Sequence, residues 1–261
     1  MPTLASILAE TRTRVSHLER KGAEFAQLAG KAPAGKPFLR TPGVQVGVIA
    51  EVKRRSPSQG AIRPDLDPVT SARSYERGGA VAVSVLTEQR HFGGSIEDLR
   101  QVAAAVSVPV LRKDFIIHTT QVLEARIAGA SAVLLIARIL ERRQLQELAA
   151  AIRELRMTPL IEVHTAGELD AAFAAEPEVL GVNARDLDTL ELNPDRAVEV
   201  MRRVPPGVTL VAESGVQTRE DVERLAGAGA DFVLVGTSVA RQGDPEQAVR
   251  GLTGVQRRPR Q

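Results

Sequence analysis

The chain has 261 residues, with 34 basic and 32 acidic side chains, a formal net charge of +2, 43% hydrophobic content and no cysteine. The length suits one (β/α)8 barrel of roughly 250 residues and leaves no room for a second large domain, while the missing thiols exclude disulfides, thiolate metal sites and cysteine nucleophiles. The near-balanced charge argues against a nucleic-acid face, no apolar run reaches the roughly 20 residues of a membrane helix, and no signal peptide is visible, so a cytoplasmic protein is expected.

From the N-terminus, Leu4, Ile7, Leu8, Val15, Leu18, Phe25 and Leu28 recur at helical spacing, which predicts one amphipathic helix over residues 3–29 that could lid one end of a barrel. The Pro-, Gly- and Lys-rich stretch Gly30 to Gly43 reads as a linker. Residues 1–43 are therefore expected to form a helical extension and linker. Residues 44–254 would form the catalytic barrel, and 255–261 a basic tail whose Arg257, Arg258 and Arg260 are solvated.

Eight short apolar runs follow: Val48 to Val52, Val81 to Thr87, Val108 to Leu111, Ala132 to Ile136, Pro159 to Val163, Val179 to Val182, Thr209 to Ala212 and Phe232 to Val235. Helical segments are expected near 67–79, 95–106, 119–129, 142–156, 166–175, 194–203, 218–228 and 244–252. Asp244 followed by Pro245 is an N-cap signal, and Gly129 and Gly227 are stop signals. Eight strand–helix units predict an α/β protein, a single (β/α)8 TIM barrel with an N-terminal helical extension. An open doubly wound sheet has the same alternation, but its dinucleotide fingerprint is missing: the cluster Gly227, Gly229, Asp231 precedes a strand where the fingerprint must follow one.

Several runs end in polar groups: Glu51 and Lys53, Glu88, Lys113 and Asp114, Glu162, Asn183 and Arg185, and Glu213 with Ser214. Strand alternation puts Glu51 and Lys53 on one side with Ile49, and likewise Glu162 with His164 and Asn183 with Arg185. One such pair could be a self-satisfied ion pair. Five ionisable groups at one mouth are too many for structural economy, because each buried charge costs several kcal/mol. A lysine near another cation is shifted toward easier proton loss and one among carboxylates is held protonated; the sequence leaves both open for Lys113.

The last two exits differ. Ser214 and Gly215 after Glu213, then Gly236, Thr237 and Ser238, offer small residues with free N–H groups and hydroxyls where this fold usually binds phosphate. His17, His91, His118 and His164 show no metal-ligand spacing, so no metal site is expected; His164 could reach the mouth, but surface or loop placement is favoured for each. The stretch Arg54 to Gly60 reads either as a closing loop or as an ordinary exposed connection; unchanged kinetics after rigidifying substitutions there would argue against gating.

The segment Ile49-Ala50-Glu51-Val52-Lys53-Arg54-Arg55-Ser56-Pro57-Ser58 resembles the signature of the indole-3-glycerol-phosphate synthase family. Further stretches follow in that family's order: Ser84 to Glu88, Phe92 and Gly94, Leu111 to Phe115, Leu134 to Ile136, Glu162, Gly181 to Leu187, Ala212 to Gly215, and Val235 to Thr237. The resemblance runs from about Val48 to about Ala240 and thins before Gly43. It implies closure of 1-(2-carboxyphenylamino)-1-deoxyribulose 5-phosphate to indole-3-glycerol phosphate, with loss of carbon dioxide and water, in tryptophan biosynthesis and without a cofactor.

By the same resemblance, Lys113 is the general acid at the ketone oxygen. Lys53 binds anionic groups and donates a proton during dehydration, although the division of steps between the two lysines stays open. Glu162 is the proton-transfer partner, Glu51 holds the lysines, Asn183 hydrogen-bonds the intermediate and Glu213 supports the network. Ser56 and Arg185 would meet the substrate carboxylate, and Ser214, Gly215, Gly236 and Thr237 its phosphate. Phe92, Phe115, Leu134 and Leu187 would wall the aryl ring. The expected partner is this small phosphorylated substrate, handled by a monomer with possible association with other pathway enzymes. Two rivals are another phosphate-binding barrel, such as phosphoribosylanthranilate isomerase, and a noncatalytic ligand-binding barrel; the Glu51, Lys53, Lys113 and Glu162 set disfavours both.

Overall fold

The computed structural model describes residues 3–39 and 43–260. Two helices, α1 (Leu4–Glu19) and α2 (Gly22–Lys31), stand where helical spacing predicts one. Thr3 caps α1 by accepting the Ser6 N–H at 3.2 Å. The chain leaves helical geometry at Lys21, just before Gly22, a residue that stabilises a continuous helix poorly. Both helices pack against α5 (Thr119–Ile127).

After β1 (Gly47–Val52), β2 (Arg55–Ser56) and β3 (Gly60–Ala61) make a short antiparallel ladder in the connecting loop. The remaining strands are β4 (Ala82–Leu86), β5 (Val110–Lys113), β6 (Ala132–Ile136), β7 (Thr158–Val163), β8 (Val179–Asn183), β9 (Thr209–Glu213) and β10 (Phe232–Val235). With β1 they close a parallel barrel in chain order, β10 pairing back onto β1. Around it run α3 (Pro68–Arg77), α4 (Ile96–Ala105), α5, α6 (Arg142–Glu154), α7 (Leu169–Ala174), α8 (Pro194–Met201), α9 (Arg219–Gly227) and α11 (Pro245–Arg250). The short α10 (Thr237–Ala240) follows β10 as an additional element. Expected capping holds at α11, where Asp244 accepts the Gln247 N–H at 3.1 Å.

Three local differences have physical causes. β5 lies two residues later than its apolar run, because Pro109 has no N–H for the ladder and the backbone keeps pairing through Arg112 and Lys113. The segment before α7 is a tight 3-10 turn over Ala166–Glu168. Residues 30–39 are more than a linker: Phe38 is fully buried and, with Leu39, packs in one cluster with Ile49, Val179 and Phe232. Residues 40–42 of that stretch lie outside the described part.

Alternation sorts each strand. On β1, Val48, Ala50 and Val52 join the layer between barrel and helices, while Ile49 joins the barrel interior. Gly47 is needed on the inward side, since a Cβ there would lie 2.4 Å from the Phe232 ring. Burying a Leu- or Phe-sized side chain contributes about 1.5–3 kcal/mol, so a slip by one residue, exchanging these faces, is strongly disfavoured.

Of the C-terminal arginines Arg258 is exposed as expected, but Arg257 and Arg260 are not simply solvated. Arg257 and Arg260 both reach the buried Asp231 carboxylate, at 2.6 and 3.3 Å, and Arg257 also donates to Gly43 O at 2.9 Å. A buried carboxylate at the entrance to β10 requires a cation, and the tail supplies it. Among the described residues no helix is long and apolar enough to cross a membrane.

Close backbone approach also explains Gly94. A Cβ there would sit 1.9 Å from Leu86 O and 2.6 Å from its carbonyl carbon, and neither backbone has slack. Gly94→Ala is expected to destabilise the protein by about 3 kcal/mol or more, lowering its melting temperature by ~6–12 °C. A thermal melt within about 2 °C of the parent would show that the loop yields instead.

Candidate active site

The carboxyl ends of the barrel strands open into a cavity of about 450 Å³. Glu51, Lys53, Lys113, Glu162, Asn183 and Glu213 line it, together with Ser56, Phe92, Phe115, Leu134, Arg185, Leu187, Ser214, Gly215, Gly236 and Thr237. Every candidate named from the sequence therefore reaches one chamber.

At its floor Lys113 Nζ stands 3.5 Å from Glu213, 3.7 Å from Glu162 and 3.8 Å from Glu51. The other oxygen of Glu51 pairs with Lys53 Nζ at 2.7 Å, so Glu51 bridges the two lysines. Burial works against the Lys113 ammonium, yet attraction by Glu162, Glu213 and Glu51 outweighs it and raises its pKa. The question left open by the sequence is thus answered: the carboxylates hold Lys113 protonated. Glu51 is lowered despite burial, chiefly by Lys53 and Lys113. Glu213 goes the other way, its pKa pushed well up by burial and by the nearby Glu162.

Room for Glu213 comes from Gly181 on β8, where a Cβ would fall 2.2 Å from its Oε1. Asn183 spends its amide oxygen on the Arg185 N–H at 3.0 Å, which leaves its NH2 group for the cavity. Arg185 donates one N–H to Leu190 O at 2.6 Å. Its guanidinium has no carboxylate partner among the described residues, and burial alone lowers its pKa.

The opposite rim is built from backbone. Ser214 and Gly215 both have left-handed φ, 67° and 79°. For serine this costs on the order of 1 kcal/mol, a strain that collects at functional sites. Across from them, α10 offers its first-turn N–H groups at Thr237 and Ser238, with the buried Ser238 Oγ unpartnered. Lys53 lies close by, its Nζ 2.9 Å from where a Cβ of residue 236 would be. Phe92 and Phe115 also line the cavity, with ring centroids 6.3 Å apart and tilted by 44°.

Several sequence expectations need correcting. His164 lies in the connection after β7, as a loop placement expected, but it is not exposed: it is fully buried, with Nε2 3.3 Å from Glu162 Oε1 and Nδ1 3.6 Å from Glu168 Oε2. The alternation that pairs residues 162 and 164 on one side was the available signal. Asp114 has the opposite parity from Lys113, and its oxygens accept from Arg14, Thr87 and Arg112 at 2.8, 2.6 and 3.2 Å. Glu88 accepts the N–H groups of Arg90, His91 and Phe92, holding the Phe92 loop. Glu10 of α1 pairs with Arg90 and His91, so Glu10, Glu88 and His91 converge as a clip between α1 and the mouth. The loop after β1 is anchored by Arg54 on Asp98 and Leu66 O, while Ser56, Pro57, Ser58 and Gln59 face the cavity. Ser238, Leu190, Leu192 and Arg241 also line it. Ser238, in the first turn of α10, belongs to the last strand exit marked in the sequence, whereas Leu190, Leu192 and Arg241 sit in irregular segments, where no periodicity could have marked them.

The sequence pattern of indole-3-glycerol phosphate synthases matches residues 4–252. The chain belongs to the indole-3-glycerol phosphate synthase family. Its members are carboxy-lyases of tryptophan biosynthesis. Relatives bearing the family name include proteins of Nocardioides, 49% identical over 88% of this chain and 89% of the relative, and of Mycolicibacterium vanbaalenii, 50% identical over 88% and 85%. One from Mycobacterium ulcerans is 46% identical over 95% and 93%. The match begins at residue 4, so α1 and α2 belong to the family pattern although the visible motifs thin before Gly43. Among solved structures, 3-hexulose-6-phosphate synthase of Salmonella typhimurium has a TM-score of 0.65 at 14% identity, covering 79% of this chain and 96% of its own. Thiamine phosphate pyrophosphorylase of Pyrococcus furiosus has 0.59 at 17%, covering 82% and 96%. At such identities the likeness shows the barrel fold alone.

Titration of His164 carries a stability prediction. Burial disfavours its charge, but Glu162 and Glu168 outweigh this and raise its pKa from 6.5 to about 9. The raised folded value means that the stabilisation is fully present below the unfolded value of 6.5 and is lost as pH rises through about 9. The loss should amount to about 1–3 kcal/mol, read as falling melting temperature between pH 6.5 and 10, with a flatter curve in His164→Gln. Equal alkaline slopes in both proteins would assign the loss elsewhere.

Proposed function

We propose that this chain closes 1-(2-carboxyphenylamino)-1-deoxyribulose 5-phosphate to indole-3-glycerol phosphate, with its chemistry carried by the lysine–carboxylate group at the cavity floor. The observation that supports this reading most directly is that Lys53 and Lys113, bridged by Glu51, line one cavity together with aromatic side chains and a backbone cradle for an anion. The substrate has matching parts: an aryl ring, a benzoate, a ketone and a terminal phosphate.

In the proposed course the phosphate lies on the N–H groups and hydroxyls of Ser214, Gly215, Gly236 and Thr237, with Lys53 as counter-charge. Ser56 and Arg185 meet the benzoate, and Phe92, Phe115, Leu134 and Leu187 hold the ring against the ketone. As the carboxylate-bearing ring carbon bonds to the ketone carbon, Lys113 protonates the developing alkoxide. A tightly held proton suits this acceptor, because an alkoxide is a stronger base than any carboxylate around it. Carbon dioxide then leaves and restores the aromatic ring. Loss of the new hydroxyl as water, protonated by Lys53, and removal of a proton from the adjacent methylene by Glu162 complete the indole. Asn183 donates its NH2 to the intermediate, and Glu213 adjusts the charge of the group.

All these groups belong to one chain, which supports a monomer as the working unit, and the proposed setting is the cytoplasm. Incubating the purified protein with the arylamino-deoxyribulose phosphate tests the reading. With no Trp and one Tyr, the protein contributes little fluorescence of its own, so new indole emission together with carbon dioxide release is the expected result. Recovery of intact substrate would refute the activity.

A further inference from the structure

A buried acid is expected to be neutral unless cations face it, and Glu162 is 1% exposed with its Oε2 lacking a hydrogen-bond partner. Lys113 cannot answer for it alone, because that ammonium also serves Glu51 and Glu213. Behind Glu162, away from the cavity, lies the fully buried His164 ring, 3.3 Å from Glu162 Oε1. Glu168 stands on the ring's other edge at 3.6 Å and is itself fixed: its Oε2 accepts the His164 backbone N–H at 2.7 Å and its Oε1 the Thr165 hydroxyl at 3.1 Å. Neither His164 nor Glu168 lines the cavity.

We propose that His164 is a positioning residue: clamped by Glu168, its imidazolium holds Glu162 in place and keeps it ionised, so that Glu162 remains a base when Lys113 has given up its proton. The inference rests on the role of Glu162 proposed above. Its physical content is a sequence of charges. When Lys113 becomes neutral, Glu162 loses the ammonium 3.7 Å away, and a carboxylate in that surrounding would take a proton unless a second cation remained. His164 is that cation, and it touches neither substrate nor reacting atoms. The charged groups facing the ring are Glu162 of β7 and Glu168 of the following turn; Lys113 of β5 and Glu213 of β9 reach Glu162 from its far side. The raised pKa of His164 agrees with this arrangement.

The test joins spectroscopy to kinetics. With ring-15N histidine, and His164→Gln to assign the signal among four histidines, the His164 ring should be doubly protonated at pH 7.5. A neutral tautomer there would overturn the proposal. In turnover, His164→Leu should lower kcat by about 10–100-fold with KM nearly unchanged, and move the acid limb of kcat/KM upward by ~1 pH unit. His164→Gln, which donates a hydrogen bond without charge, should recover part of kcat. An unmoved limb, or a kcat loss that only follows the folded fraction, would reduce the ring to packing. Should the leucine variant fail to fold, Glu168→Gln reads the same contact from behind and is expected to shift the limb in the same direction. Near-normal turnover of Glu162→Gln would sink the role of Glu162 itself, an outcome distinct from the ring's protonation.

Discussion

Lys113→Met is expected to lower kcat about a thousandfold, or ~4 kcal/mol of transition-state stabilisation, in a protein that still folds. Removing one partner of a buried ion pair usually costs about 3–5 kcal/mol, because it leaves a bare charge. Here each stranded carboxylate has another recourse. Glu51 keeps Lys53 at 2.7 Å, Glu162 keeps His164 at 3.3 Å, and Glu213 is already pushed toward its neutral form. The stability cost should therefore be about 1–2 kcal/mol, visible as a melting temperature lowered by ~2–8 °C. Steady-state kinetics and a thermal melt on one preparation check both halves. Near-normal turnover would remove Lys113 from the acid role, whereas loss of the fold would show that the lysine is first a counter-ion.

Gly236→Ala should lower kcat/KM about a hundredfold while leaving the barrel intact, because small misplacements at a reacting centre cost that much. A Cβ at this position falls 2.5 Å from Glu51 Oε1 and 2.9 Å from Lys53 Nζ. Both are ends of side chains and not backbone, so they can swing aside without unfolding the sheet. Swinging aside parts the 2.7 Å pair and moves Lys53 away from the rim where the substrate phosphate is proposed to bind. KM should rise and kcat fall together, since one displacement disturbs anion binding and the bridge to Lys113. A kcat/KM within about threefold of the parent would mean that the rim tolerates a methyl group and that the glycine serves only its turn.

Much of this site was legible because strand geometry is local. The period-two rule put Glu51 and Lys53 on one side of a strand from six consecutive residues, and the same rule already aligned His164 with Glu162. Helix limits were readable where a cap marked them, as at Asp244 and Pro245, and blurred at residues 20–22, where the chain leaves helical geometry at Lys21 before Gly22 with no side-chain cap to announce it. The C-terminal arginines show the opposite case. Arg257, Arg258 and Arg260 look like a solvated tail until Asp231, 26 residues before Arg257, is found buried with Arg257 and Arg260 as its only cations among the described residues. Leu190 and Leu192 gave no sign at all, because irregular backbone carries no repeat from which to infer a facing direction.

The chain by itself determined the alternation of strands and helices, the count of eight, the family, and which residue types stand at each strand exit, since all of these depend on neighbours within a few positions. Tertiary structure decided which exits meet and in what charge state. Closure brings Glu51 of the first strand and Glu213 of the seventh barrel strand to the same ammonium, and their different neighbours, Lys53 beside one and Glu162 beside the other, lower the pKa of Glu51 and raise that of Glu213. Coulomb energies vary with separation and burial, and neither quantity exists until the barrel has closed.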